Sequence, residues 1–279
     1  RRLALVVGTV WLTSWALEAT HVAEPSTEVT LISAALAVAL LQAGLVWLFY
    51  LALEPWVRRL WPHTLVSWSR LLCGRVHDRL VGRSLLLGSL LGAFWTVCVM
   101  LDRLAPRLLG LAPPAFPVDS AQLGAVVRGR DLLATLLDLP IGAVYDGLFS
   151  LLLLLLLRLV LRRWWPAVIA YMLITGVVET LLGSAPQVSW LLLGIGLAVT
   201  GTYALVRFGL LTLIIAFLVQ GIIEAYPLTR DLSAWYADSG LFALAVATLL
   251  ATTGYWLTRR EGRGACVEGA AGPCGREVG

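Results

Sequence analysis

Long apolar runs broken by short polar segments make up most of the chain. About 20 mostly apolar residues are needed to cross roughly 30 Å of hydrocarbon. Segments 3–19, 29–53, 81–101, 141–161, 165–183, 188–206, 208–226 and 239–257 meet or nearly meet that length. The pattern predicts an all-α, polytopic membrane protein with about eight transmembrane helices over residues 1–257. Between the second and third runs lies "EPWVRRLWPHTLVSWSRLL", in which Pro62 can open a helix. Leu65, Trp68 and Leu72 then recur on one face while Ser67 and Arg70 fall elsewhere, which predicts an interfacial amphipathic helix near 62–72. The plainer alternative for that stretch is a stop-transfer loop with ordinary anchors. The loop between the third and fourth runs combines a proline-rich turn with an amphipathic pattern that predicts a lid or surface helix over 119–138. After 257 the chain is glycine-rich and aperiodic, which predicts a disordered cytoplasmic tail over 258–279. No internal repeat is legible.

Composition agrees with this solvent. Of 279 residues 59% are hydrophobic and 14% charged, against about 25% charged in soluble domains. Mean hydropathy is +0.85. All 21 basic residues are arginine, and the chain contains neither lysine nor asparagine. That excludes Schiff-base, phosphate-loop and kinase phosphate-binding lysines. The net charge of +4 reads as arginine placed on cytoplasmic loops and not as a nucleic-acid surface. With Arg1 and Arg2 inside, the loop 18–28 lies outside and holds Glu18, Glu24 and Glu28 without arginine. Arg58, Arg59, Arg70, Arg75, Arg79, Arg83, Arg162, Arg163, Arg207, Arg259 and Arg260 then all fall inside, as the positive-inside rule requires. Arg103, Arg107, Arg128 and Arg130 sit in the long outer loop 102–140 with four aspartates, and long loops are weak witnesses. Both termini are expected to be cytoplasmic. No small-residue cleavage site closes the first run, so a signal peptide is a poor reading. The expectation is that these residues form the carboxy-terminal part of a longer protein.

Within this frame Arg58, Arg59 and Arg70 are expected to hold the 54–72 segment to anionic head groups, with Trp61 and Trp68 at the membrane–water boundary. Ionisable groups inside spans are candidates for function. Asp146 begins the fourth span, Glu179 ends the fifth and Glu224 ends the seventh, so all three come near the outer boundary. Such a cluster can share a proton, hold a cation or pair with Arg128 or Arg130. The plainer alternative is that each acid reaches the outer head groups and is wet. His21, His63 and His77 have no second ligand at metal spacing, and Cys266 and Cys274 stand in the tail without a histidine. No metal site, resident cofactor or catalytic residue is expected in this chain. Spaced glycines in "LLLGIGLAVTG" fit close helix packing.

Two blocks carry a resemblance. "ALEPWVRRLWPHTLVSWSRLLCGRVHDRLVGRSLLLG" includes Glu54, Pro55, Arg58, Arg59, Trp61, Pro62, Trp68 and Arg70, followed by Val81, Gly82 and Arg83. "YALVRFGLLTLIIAFLVQGIIEAYPLTRDLSAWYADSGLFAL" includes Arg207 through Leu211, Pro227 through Thr229 and Asp231 through Tyr236. Both resemble the membrane region of bacterial, acidobacteria-like transmembrane serine/threonine protein kinases. The resemblance implies a multi-pass anchor or sensor in the bacterial inner membrane, with a cytosolic kinase domain before residue 1. ATP and magnesium would enter only through that domain, since its glycine-rich loop, lysine, catalytic loop and metal-binding aspartate are missing here. The lipid bilayer and the upstream kinase domain are the implied partners. A self-standing permease using Asp146, Glu179 and Glu224 is the alternative. An intramembrane hydrolase is disfavoured by the lack of a nucleophile–base pair.

Overall fold

The structure, a computed structural model, describes residues 2–19, 24–108, 129–182, 188–229, 231, 233–234 and 236–268. Every regular element among them is helical: α1 (Arg2–Glu18), α2 (Pro25–Leu60), a 3-10 turn (Pro62–Leu65), α3 (Val66–Leu72), α4 (Arg79–Leu108), α5 (Gly129–Leu161), α6 (Trp164–Leu182), α7 (Val188–Phe208), α8 (Leu210–Ala225) and α9 (Ala237–Glu268). The runs 29–53, 81–101, 141–161, 188–206 and 239–257 each lie within one of these helices, and α1, α6 and α8 cover most of 3–19, 165–183 and 208–226. Pro25–Val57, Arg79–Leu104, Gly129–Leu161 and Ala237–Arg259 are long and apolar enough to cross a membrane. Leu3–Glu18, Trp164–Val178, Leu193–Phe208 and Leu210–Ala225 are apolar but shorter. Leu40, Leu48, Val160, Trp165 and Leu249 are each more than half exposed. An exterior this apolar suits lipid and not water. The protein is a helical membrane protein.

Three boundaries differ from those expected, each for a local reason. The second helix does not stop at 53 but runs through Pro55 to Leu60. An internal proline removes one backbone bond, and a long flanking helix tolerates that loss. The helix ends where Pro62 bars its predecessor from the α region, and Trp61 accordingly sits at φ −143°, ψ 65°. Likewise α5 is continuous from Gly129 through Pro140, so residues 129–138 extend the fourth span and do not form a separate surface helix. Residues 119–128 lie outside the described ones. The last helix continues past 257 to Glu268, carried by Arg259, Arg260 and Glu261, all good helix formers. The remainder of the expected tail, 269–279, is outside the described residues.

The core is organised around α8. Leu210 through Ala216, Val219, Ile222 and Ile223 are all buried, because α4, α5, α7 and α9 pack around it. Its approach to α4 depends on missing side chains. A Cβ at Gly88 would stand 2.6 Å from the Thr212 carbonyl, and one at Gly92 would meet the Ala216 carbonyl more closely still. Glycine lets the two backbones touch where any other residue would hold them apart. Between α7 and α8 the chain turns at Gly209, whose φ of +99° lies in a region L side chains avoid. Helices α1 and α2 pack on each other and on α5, and α6 packs between α5 and α7.

Candidate functional site

The α5 helix carries Asp131, Thr135, Asp138, Gly142 and Asp146 at intervals of three or four residues, which places them along one face. That face lines a cleft of about 330 Å³, closed by Glu18 at the end of α1 and by Phe217 and Gly221 on α8. Leu139 and Ala143 complete its apolar wall. The α5 backbone is pinned on either side. The Ser14 hydroxyl of α1 donates to the Ala134 carbonyl at 2.9 Å, and the Tyr226 hydroxyl at the end of α8 donates to the Leu132 carbonyl at 2.9 Å. Deeper in the membrane the Tyr145 hydroxyl donates to the Gln42 carbonyl of α2. Each carbonyl has a second lone pair, so these bonds add to the helix ladder without breaking it.

Four carboxylates therefore line one cleft. Asp131 Oδ1 lies 3.6 Å from the Arg130 Nε. Asp138 Oδ1 is buried with no hydrogen-bond partner among the described residues. A buried acceptor left without a donor is costly, and a cation or a proton relieves that cost. The cleft is large enough for a small organic ligand. Among the described residues no group of three or more His, Cys, Asp or Glu is placed to hold a metal ion.

Of the acids singled out in the sequence, Asp146 lines this cleft. Glu224 instead accepts a hydrogen bond from Gln220 Nε2, one turn back on α8, at 3.1 Å. The side chain of Glu179 lies outside the described residues. Glu18, Asp131 and Asp138 were not singled out. The signal that finds Asp131 and Asp138 is the spacing from 131 to 146, and it becomes visible once 129–161 is read as one helix; Glu18 joins them only through the packing of α1.

At the opposite end of the bundle the 54–72 segment is packed inward. Trp61 and Trp68 are buried, at 8% and 3% exposure, which departs from the expected membrane-surface role. The 3-10 turn folds the chain back under α8, where a Cβ at Gly209 would be 2.8 Å from the Thr64 carbonyl. Thr64, Leu65, Ser67 and Trp68 fill that space. The side chain of Arg158 on α5 lies over both Trp61 and Trp164, 4.7 and 5.6 Å from the ring centroids, and the two rings meet edge to face at 5.4 Å. Trp56 is the exposed ring of the segment, and Arg59 is exposed beside it. Arg70 is engaged with Asp78 at 2.5 Å, while the side chain of Arg58 lies outside the described residues. Ser67 Oγ and Trp68 Nε1 are buried without hydrogen-bond partners among the described residues. Comparison with known families, curated proteins and solved structures finds no match for this chain.

Proposed function

We propose that the chain is the multi-pass membrane portion of a bacterial serine/threonine protein kinase, an anchor or sensor in the inner membrane. In this reading it has eight spans, both termini are cytoplasmic, and a catalytic domain precedes residue 1. The observation that carries the reading is the meeting of the two family-like blocks, which lie far apart in sequence. Gly209 sits against the Thr64 carbonyl, Arg83 lies 5.5 Å from the centre of the Phe208 ring, and Gly88 abuts Thr212. Residues that form one body at the arginine-bearing end suit a surface through which spans communicate with a cytosolic domain. Helix ends assigned to the same side of the membrane also meet. Glu18, Asp131 and Gly221 share the outer cleft, and Trp61, Arg158 and Trp164 share the inner cluster.

ATP and magnesium do not fit the chain itself, which has no lysine or asparagine to contact phosphate or metal as kinases do. The coding sequence upstream of Arg1 tests the reading: kinase motifs in frame support it, and an open frame without them overturns it. Reporters fused after Arg260 and inserted near Pro114 test the topology, with cytoplasmic and periplasmic behaviour expected respectively. The acidic cleft favours a second reading, a permease for cationic solutes that uses Asp146. Uptake by proteoliposomes, abolished by Asp146→Asn, would select it.

A further inference from the structure

The start of α4, the end of α7 and the stretch of α9 around Arg259 present cations with no described anion to balance them. Arg79 and Arg83 stand one turn apart on α4, Arg207 lies in the last turn of α7, and Arg259 lies on α9. All four are exposed. They are drawn together by packing. Arg83 lies over the Phe208 ring next to Arg207. A Cβ at Gly82 would stand 3.2 Å from the backbone nitrogen of Thr258, next to Arg259. Asp78, the acid at the start of α4, is already bonded to Arg70 and to the Leu80 amide. Like charges one turn apart repel, so an anion from outside the chain would stabilise this arrangement.

The surroundings specify which anion. The guanidiniums of Arg83 and Arg259 rest on aromatic faces, the latter 4.7 Å from the Tyr255 ring centre, which orients their planar donors. That fork matches a phosphate. Beside the charges lie exposed rings, with Tyr203 at 63%, Tyr255 at 45% and Trp256 at 53% exposure. A free phosphate has no use for such a bed, whereas acyl chains do. We propose that the start of α4, the end of α7 and the 255–259 stretch of α9 seat an anionic phospholipid, its phosphodiester among Arg83, Arg207 and Arg259 and its chains along Tyr203, Tyr255 and Trp256. The inference rests on the membrane reading, with this end at the inner leaflet.

The test uses the full chain in bilayers carrying a trace of photo-crosslinkable lipid, with either a phosphatidylglycerol or a phosphocholine head. The glycerol-headed probe is expected to label peptides containing 79–83, 203–208 and 255–259 in preference to the choline-headed one. The triple variant R83Q/R207Q/R259Q is expected to lower that labelling on the order of a hundredfold, from the usual attraction of arginine to an anionic surface. R162Q/R163Q, at the α5–α6 turn, is expected to leave it in place. Equal labelling by both probes, or an equal loss in the control variant, overturns the lipid site. Displacement of the probe by inorganic phosphate alone also overturns it. Release of the chain by alkaline carbonate would instead overturn the membrane reading, and the two failures are thereby separate.

Discussion

The indole nitrogen of Trp95 donates to the hydroxyl of Thr200 across 2.8 Å, joining α4 to α7. Trp95 is almost fully buried and tilts against Phe217 with ring centres 5.4 Å apart. The Thr200 hydroxyl also donates to the Gly196 and Leu197 carbonyls within its own helix, so it keeps partners when the indole is removed. Trp95→Leu is therefore expected to cost chiefly packing, about 2–4 kcal/mol. Thermal unfolding in a fixed detergent should show a large fall for Trp95→Leu and a smaller one for Thr200→Val, which leaves the buried indole N–H without its acceptor at a cost of about 1–3 kcal/mol.

The contact between α4 and α8 makes a sharper prediction. Gly88→Ala places a methyl against the Thr212 carbonyl and the Ile215 side chain, and overpacking of that kind costs about 1–3 kcal/mol. Gly44→Ala meets nothing within 4 Å and should stabilise by about 1 kcal/mol through helix propensity. Opposite shifts in melting temperature are expected. Equal shifts would mean that α4 and α8 are not in backbone contact.

Asp78 links stability to acid pH. Burial pushes its carboxyl up, but the Leu80 amide, the Arg70 guanidinium and the charge of Arg75 together outweigh that and hold it below the usual carboxylate range. A folded value below the unfolded one, near 3.9, means the stabilisation is present above that unfolded value. It is lost as pH falls through the folded value. The pair is partly exposed, so the contribution is at most about 1 kcal/mol. Asp78→Asn should lower stability at neutral pH and flatten the acid limb of a stability–pH profile.

The turn from α5 to α6 holds a strained residue. Arg162 has φ +54°, and the Arg163 amide closes the turn on the Leu161 carbonyl at 2.7 Å. A left-handed conformation costs an L residue roughly 1–2 kcal/mol, partly offset in glycine by its greater freedom when unfolded. Arg162→Gly is expected to stabilise by up to about 1 kcal/mol. Arg163→Gly should not stabilise, and denaturant titration of both variants makes the comparison.

The helices were legible in the sequence because bilayer length leaves few alternatives to an apolar run of that size. The site was less legible. Pro140 read as a boundary, and it hid the common face of Asp131, Asp138 and Asp146. Trp61 and Trp68 read as surface anchors because a tryptophan at a helix end suits the interface and a crowded core equally well. What decided between them is the fold-back at Pro62 under Gly209, a tertiary relationship that no local spacing encodes. Arg70 looked available to lipid for the same reason, since its partner Asp78 lies eight residues on, across a turn.

The central position of α8 bears on how the protein is made. At 16 residues it spans only about 24 Å, and little of it is left for lipid once its neighbours are in place. During synthesis it emerges after α4, α5 and α7 but before α9. A newly inserted α8 therefore waits with the side that α9 will cover still open, and only the arrival of the final helix closes it. Truncation within α9 should accordingly strand an otherwise complete bundle in a form that membrane quality-control proteases recognise, however well the seven spans before it are inserted.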